Sequence, residues 1–176
     1  MIKLEKMSVK QPELDLIAEW RNQTLISLRS NDLTAKGGSQ TKWVNGFGSS
    51  EKYYFIYTYD INKDGYFIGY CALDKIDPVN RTAEMGLLIR PNCYKQGYGS
   101  QAVQELLRMV FTDFNLNCVF IEVIETTSNW MFWQKQGFIK EGVLRARHFK
   151  AGHYYPSTIA SITKQDWETL LLNEVP

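Results

Sequence analysis

Hydrophobic and polar positions alternate over residues 2–7, as in a strand that buries one face, and the short run suits a sheet edge. Pro12 then opens a helical pattern carrying Leu14, Leu16, Ile17 and Trp20. The pattern loosens over residues 22–50, where Gly37-Gly38-Ser39 and the glycines at 46 and 48 read as connections around a short helix near Trp43. Strand patterning returns at residues 53–59 and 66–73, with Asn62-Lys63-Asp64-Gly65 between them as a hairpin turn. Residues 81–89 form a further strand. A helix follows over residues 97–114, its apolar face made of Ala102, Val103, Leu106, Leu107 and Val110. Residues 118–124 read as a buried strand and 128–136 as a short helix stopped by Gly137. Strands over 138–149 and 154–162 complete a sheet, and Thr163 is placed to cap a last helix. The expected architecture is α+β: four antiparallel strands, a helix, a strand, a helix and two more strands, in one domain over 1–176.

Composition narrows the function classes. With 44% hydrophobic and 22% charged residues, the chain is an ordinary globular one. A net charge of +1 gives no electrostatic case for nucleic acid or an anionic membrane as partner. No stretch approaches the apolar length of a membrane span, and residues 1–3 lack a signal-peptide pattern. Cys71, Cys93 and Cys118 have no Cys-x-x-Cys spacing and read as free thiols of a cytoplasmic protein. With only His148 and His153, no metal site is expected.

The chemistry concentrates at residues 84–105. An apolar strand meets Pro91 and a polar turn, the turn ends in Gly97-Tyr98-Gly99-Ser100, and the helix starts at once. A helix N-terminus has unbonded N–H groups and a dipole that favours an anion, and two glycines let a phosphate approach the backbone. The spacing is neither a Walker loop, which needs Gly-Lys-Ser/Thr, nor the three-glycine dinucleotide fingerprint.

Tyr94-Lys95-Gln96-Gly97-Tyr98-Gly99 resembles the acetyl-CoA pyrophosphate loop Q/R-x-x-G-x-G/A of the GNAT N-acetyltransferases, with Tyr94 at the first position. Trp133-Gln134-Lys135-Gln136-Gly137-Phe138 resembles the family's Y-E-K-x-G-F segment. The tail, Gly137 through Arg145 and then Gly152-His153-Tyr154-Tyr155, looks like the strand and hairpin of the branch that acetylates ribosomal-protein N-termini and small amines. The resemblance covers residues 51–168 well and 1–50 weakly. It implies a mixed, mostly antiparallel sheet of about seven strands, splayed at the cofactor-binding strands, and acetyl-CoA as acetyl donor.

Residue by residue, the resemblance assigns the pyrophosphate to Gln96, Gly97, Tyr98, Gly99 and Ser100, with Lys95 as a nearby charge. Leu87, Leu88 and Ile89 would pair with the pantetheine as an added strand, an N–H near Leu88 facing the thioester oxygen. Asn129 would reach the cofactor. Trp133 stands where many members carry the tyrosine that protonates the departing thiolate; an indole N–H does not ionise in this range, so either the thiolate leaves unassisted or with a water's help, or another group such as Tyr154 or Tyr155 supplies the proton. Glu84 interrupts an apolar strand beside the cofactor stretch and is the candidate base, with Glu122 and Glu125 as second choices; its alternative is a salt bridge to Arg81 or Lys75. The acceptor pocket would draw on Trp20, Arg21, Arg29, Trp43 and Glu125. Trp20-Arg21-Asn22 resembles a motif of members acting on nucleotide-linked amino sugars, and Arg21, Arg29 and Trp43 suit an anionic or ring-bearing acceptor better than an aliphatic polyamine, which would want a carboxylate-lined pocket. The expected acceptor is thus a small primary amine, an amino sugar or nucleotide-linked amino sugar, acetylated by a monomer or homodimer. The alternatives are a peptide N-terminus and a CoA-binding module without turnover.

Overall fold

The computed structural model describes residues 1–23, 44–46, 48–60, 63–125 and 130–173. Arg29, Trp43 and Asn129 lie outside the described residues. The elements run β1 (Ile2–Lys6), α1 (Gln11–Asn22), β2 (Lys52–Asp60), β3 (Lys63–Asp77), β4 (Thr82–Ile89), α2 (Tyr98–Arg108), β5 (Cys118–Ile124), α3 (Trp130–Lys135), β6 (Ile139–Lys150), β7 (His153–Thr163) and α4 (Lys164–Asn173). A single 3-10 turn, Pro91–Cys93, precedes α2, and a π-turn, Met109–Asp113, follows it.

The strands form one seven-stranded sheet in the order β1-β2-β3-β4-β5-β7-β6, antiparallel except for β4 against β5. Period-two alternation sends side chains to two cores. On one face Leu73, Ala83, Met85, Val119, Ile121 and Ile162 pack under the apolar face of α2 with Trp133 of α3 and Trp167 of α4. On the other, Leu14, Ile17 and Trp20 of α1 cover Tyr53, Phe55, Phe67 and Ala72, and this smaller core extends no further along the sheet than Leu88 of β4. Leu16, assigned above to the packed face of α1, is 36% exposed.

Local chemistry fixes the element ends. Gly97 caps α2 in the left-handed region (φ +83) and Gly137 ends the turn after α3 (φ +94), conformations that cost other residues free energy. The Thr163 Oγ1 accepts the Asp166 N–H while the Asp166 carboxylate accepts the Thr163 N–H, a reciprocal cap for α4. The β2–β3 hairpin is tighter than its sequence suggests: Asp60 pairs with Lys63, so residues 63–65 belong to the strand instead of the turn.

The β4–β5 pair is short. Its parallel register runs Thr82↔Cys118, Ala83↔Val119, Glu84↔Phe120 and stops, while β4 stays paired with β3 up to Ile89. From residue 85 onward β4 and β5 diverge, and this splay lies beside the N-terminus of α2.

Candidate active site

The α2 face of the splay carries the anion loop. No side chain caps the first turn of α2, and its first intrahelical bond runs from the Gln101 N–H to the Gly97 carbonyl. The N–H groups ahead of it point to the loop, where the helix dipole favours an anion. Lys95 supports the turn with its own left-handed backbone (φ +59). Gly97 and Gly99 serve different ends. Gly97 supplies the positive φ, whereas a Cβ built at Gly99 would stand 3.4 Å from Phe132 and 3.5 Å from Leu87. Gly99 therefore marks where α2, α3 and β4 converge.

Two loop side chains are engaged within the protein. The Gln96 amide donates to the Asn92 carbonyl (2.9 Å), so Gln96 closes the turn and its side chain does not face the anion position. Gln136, buried at the end of α3, donates to Ser100 Oγ (3.1 Å) and receives a long contact from Gln104 (3.4 Å). With its oxygen accepting, the Ser100 hydroxyl keeps its proton to donate. The sequence reading missed Gln136; the available signal was a polar residue beside the helix-ending Gly137. Tyr98 packs half-buried against the larger core.

Backbone parity decides which peptide groups line the splay. The Arg81 carbonyl accepts the N–H of Asn117 and Cys118, so Arg81 faces β5. The Arg90 N–H donates to Ile68 of β3, and the Leu88 carbonyl lies so close to Gly69 of β3 that a Cβ there would be 2.1 Å away. Even-numbered residues of β4 therefore direct their peptide groups to β3, and odd-numbered ones to β5. Past residue 84 the odd ones meet the splay, which places Leu87 and Ile89 on it. The N–H expected near Leu88 is corrected accordingly: the Leu88 peptide is turned into the β3 ladder.

The opposite, α1 face of the splay is polar. The Glu84 carboxylate meets the Lys75 ammonium at 2.6 Å, the salt bridge given above as its alternative role. Glu122 lies on the facing strand, 12% exposed. Its Oε1 accepts the Ser157 hydroxyl (2.7 Å) and contacts His148 Nε2 (2.8 Å) and Arg147 Nε (3.5 Å). Burial raises its pKa, but the hydrogen bonds of Ser157 and His148 outweigh that and leave it below the ordinary carboxylate value. The Tyr53 hydroxyl donates to Asp74, also on this face; burial, then Asp74, pushes the Tyr53 hydroxyl up, and burial raises Asp74.

Several expected site residues are placed elsewhere. Tyr154 is 68% exposed at the tip of the β6–β7 hairpin, its ring 5.0 Å from that of Phe149, and does not reach the splay as an acid. Trp20 is buried and stacked on Phe67 (5.2 Å between centroids), a core residue instead of a pocket wall. Arg21 is buried beside Tyr53 and Tyr70; burial pushes both hydroxyls up, and the Arg21 charge offsets part of that rise. Glu125 contacts the Thr158 hydroxyl and the Lys140 ammonium (3.9 Å) on the α2 face. Trp133 is packed edge-on between Phe132 and Phe138. Among the described residues, no group of three His, Cys, Asp or Glu is arranged to hold a metal, and no helix is long and apolar enough to cross a membrane.

Comparison with known proteins agrees with this geometry. The sequence profile described as the acetyltransferase (GNAT) domain matches residues 9–129. An N-acetyltransferase of Bacillus licheniformis, p20, is 33% identical over 101 residues, 57% of each chain. The spermidine N(1)-acetyltransferase of Vibrio cholerae is 28% identical over 88 residues, 49% of this chain and 51% of that protein. The match thus spans little more than half the length of these curated relatives. The crystal structure of the Vibrio cholerae spermidine N-acetyltransferase in complex with CoA and spermine superposes with a TM-score of 0.83 at 20% identity, covering 95% of this chain and 98% of that one. The chain belongs to the GNAT acetyltransferase family, and its fold is the GNAT fold.

Proposed function

We propose that this GNAT-family chain transfers the acetyl group of acetyl-CoA to a primary amine of a small molecule. The observation that carries the proposal is the end of β4–β5 pairing at Glu84↔Phe120, directly beside an α2 N-terminus with a left-handed Gly97 cap. That combination offers an added-strand site and an anion site at one opening.

Acetyl-CoA would supply the activated acetyl thioester. The first-turn N–H groups of α2, with the Ser100 hydroxyl held by Gln136, would bind its pyrophosphate, and Lys95 would add a charge. Leu87 and Ile89 would present backbone N–H and carbonyl groups to the pantetheine, fixing the thioester against the sheet. The amine approaches from the α1 face. Glu84 is the proposed proton acceptor there, acting through water because its Oε2 is held by Lys75. Trp133 cannot protonate the thiolate and Tyr154 lies away from the splay, which leaves Tyr155 or solvent as the source of that proton.

The acceptor reading favours a cationic alkyl amine. Asp74, Glu84 and Glu122 all act on the Lys75 charge, which places three carboxylates around one lysine on the acceptor face. The spermine complex of the Vibrio cholerae relative is in keeping with that choice. The amino-sugar expectation rested on Trp20 and Arg21, which are buried, and on Arg29 and Trp43, which lie outside the described residues.

Two measurements test the proposal. Calorimetry should show acetyl-CoA binding to the wild type and none to Gly97→Val. Thiol release should then be followed with alkyl diamines, amino sugars and N-terminal peptides as acceptors. Turnover with diamines is the expected result, and turnover confined to peptides or sugars would replace the acceptor class.

A further inference from the structure

Resting on the acetyltransferase reading, we propose that Glu122 receives the ammonium group of the acceptor and that His148 is the positioning residue that holds Glu122 in place. Glu122 breaks a strand whose alternate residues, Val119, Ile121 and Val123, are buried under α2. It points to the α1 face instead, and register fixes its height. Two residues beyond the last pair, Glu84↔Phe120, the same register carried forward sets Gly86 of β4 across the splay from Glu122 of β5. Gly86 leaves a notch there: a Cβ built on it would meet only Ala72, at 3.9 Å. An amine entering from the α1 face reaches the Leu87 peptide over Gly86 and passes Glu122.

The carboxylate is prepared for such a guest. Ser157, His148 and Arg147 all converge on Oε1, and no hydrogen bond to Oε2 is made by any of the described residues. One oxygen is anchored and the other is available. The charged and titratable groups facing Glu122 are Arg147 and His148 from β6 and Lys75 from β3. Arg147 is 57% exposed and 3.5 Å away, a solvated partner that an ammonium can displace.

His148 reaches Glu122 because the β6–β7 ladder is irregular. Leu144 pairs with Ser157 and His148 with Tyr155, so three residues of β6 oppose the single Pro156 of β7. Pro156 has no N–H to offer the ladder, and Ala146 turns through the left-handed region (φ +49). This bulge on an edge strand brings an imidazole across β7 onto a carboxylate of β5, the re-aiming role such bulges serve.

The test uses 1,4-diaminobutane as acceptor and the intact chain. Glu122→Gln should raise KM for the diamine tenfold or more while KM for acetyl-CoA stays within twofold. His148→Phe should raise the same KM, and His148→Gln, whose amide can still donate to Oε1, should recover most of it. Unchanged diamine KM in Glu122→Gln, or an equal rise in both KM values, overturns the proposal. If Glu122→Gln does not fold, the His148 pair decides alone: equal diamine KM in Phe and Gln variants also overturns it. Failure of the wild type to bind acetyl-CoA would instead overturn the functional reading beneath, and failure of the acetyl-CoA-loaded wild type to take the diamine would overturn this inference.

Discussion

At the scale of single residues, position in the ladder decides what a side chain can do. Gly69 has a φ of +158, a backbone that L side chains rarely adopt, and the Leu88 carbonyl lies 2.1 Å from where a Cβ would stand. Both features call for glycine. Gly69→Ala should force β3 and β4 apart at the splay, with a destabilisation of about 1–3 kcal/mol from overpacking and a matching loss of acetyl-CoA affinity. Chemical denaturation and calorimetry on the same variant check both effects. Glu122 offers a test by pH. Its folded pKa lies below the ordinary 4.5, so the stability it contributes is present above that value and is lost as pH falls through the folded value. The Tm difference between wild type and Glu122→Gln should therefore hold steady from neutrality down to about pH 5 and close under more acid conditions. A difference that is flat to pH 3 would show that the carboxylate has no depressed pKa.

At the scale of elements, α2 and α3 are joined by a polar bridge that sits inside an otherwise apolar contact. Gln136 binds Ser100 and so fixes the first turn of α2 against the end of α3. Removing the amide should disturb the anion loop without touching a ligand. Gln136→Ala and Ser100→Ala are each expected to weaken acetyl-CoA binding, and the double variant to cost less than the sum of the two, which a double-mutant cycle by calorimetry would read. Thr163→Ala should remove the α4 cap at a cost of about 1 kcal/mol while leaving acetyl-CoA affinity unchanged. The elements themselves were largely legible in the chain, because period-two and helical patterns report which face is buried. Thr163 as a cap and Gly137 as a stop were readable for the same local reason. What the pattern could not carry was pairing. The Leu87-for-Leu88 correction follows from β3 register, whereas the Glu84–Lys75 salt bridge was one of two pairings the sequence offered, and the β3 backbone at Lys75 (φ +50) selects it over Arg81. The His148–Glu122 contact depends on a bulge opposite Pro156, and the two residues are 26 apart in sequence. Composition likewise could not tell that Trp20 and Arg21 face a core, since an amphipathic helix looks the same whether its aromatic residue stacks on protein or substrate.

At the scale of the whole molecule, the α2 face of the sheet is covered on both sides of the splay, whereas the α1 face is covered only over β2 and β3, up to Leu88 of β4. The larger core, from Ile56 to Trp167, ties β2, β3, β4, β5 and β7 together under α2 and α4, and the smaller one fastens α1 to β2 and β3. The splay thus lies at the edge of the smaller core and above the larger one, and a ligand entering it would bridge β4 and β5. Trp133 belongs to the larger core, between Phe132 and Phe138, so Trp133→Phe is expected to lower stability by a packing defect while most turnover survives. A ligand that binds only the folded splay must raise the melting temperature by mass action. At a hundred times its Kd, acetyl-CoA should add about 2.7 kcal/mol. For a domain of this length that corresponds to roughly 5–11 °C in thermal melts, at about 2–4 °C per kcal/mol. Trp133→Phe should start lower and rise by the same amount, because its defect lies in the core and not in the anion loop. Gly97→Val, which denies α2 its left-handed cap, should show no rise at all. A Trp133→Phe protein that stays folded but loses the ligand-induced shift would place the indole in the binding site, and the separation of core from splay argued here would fail.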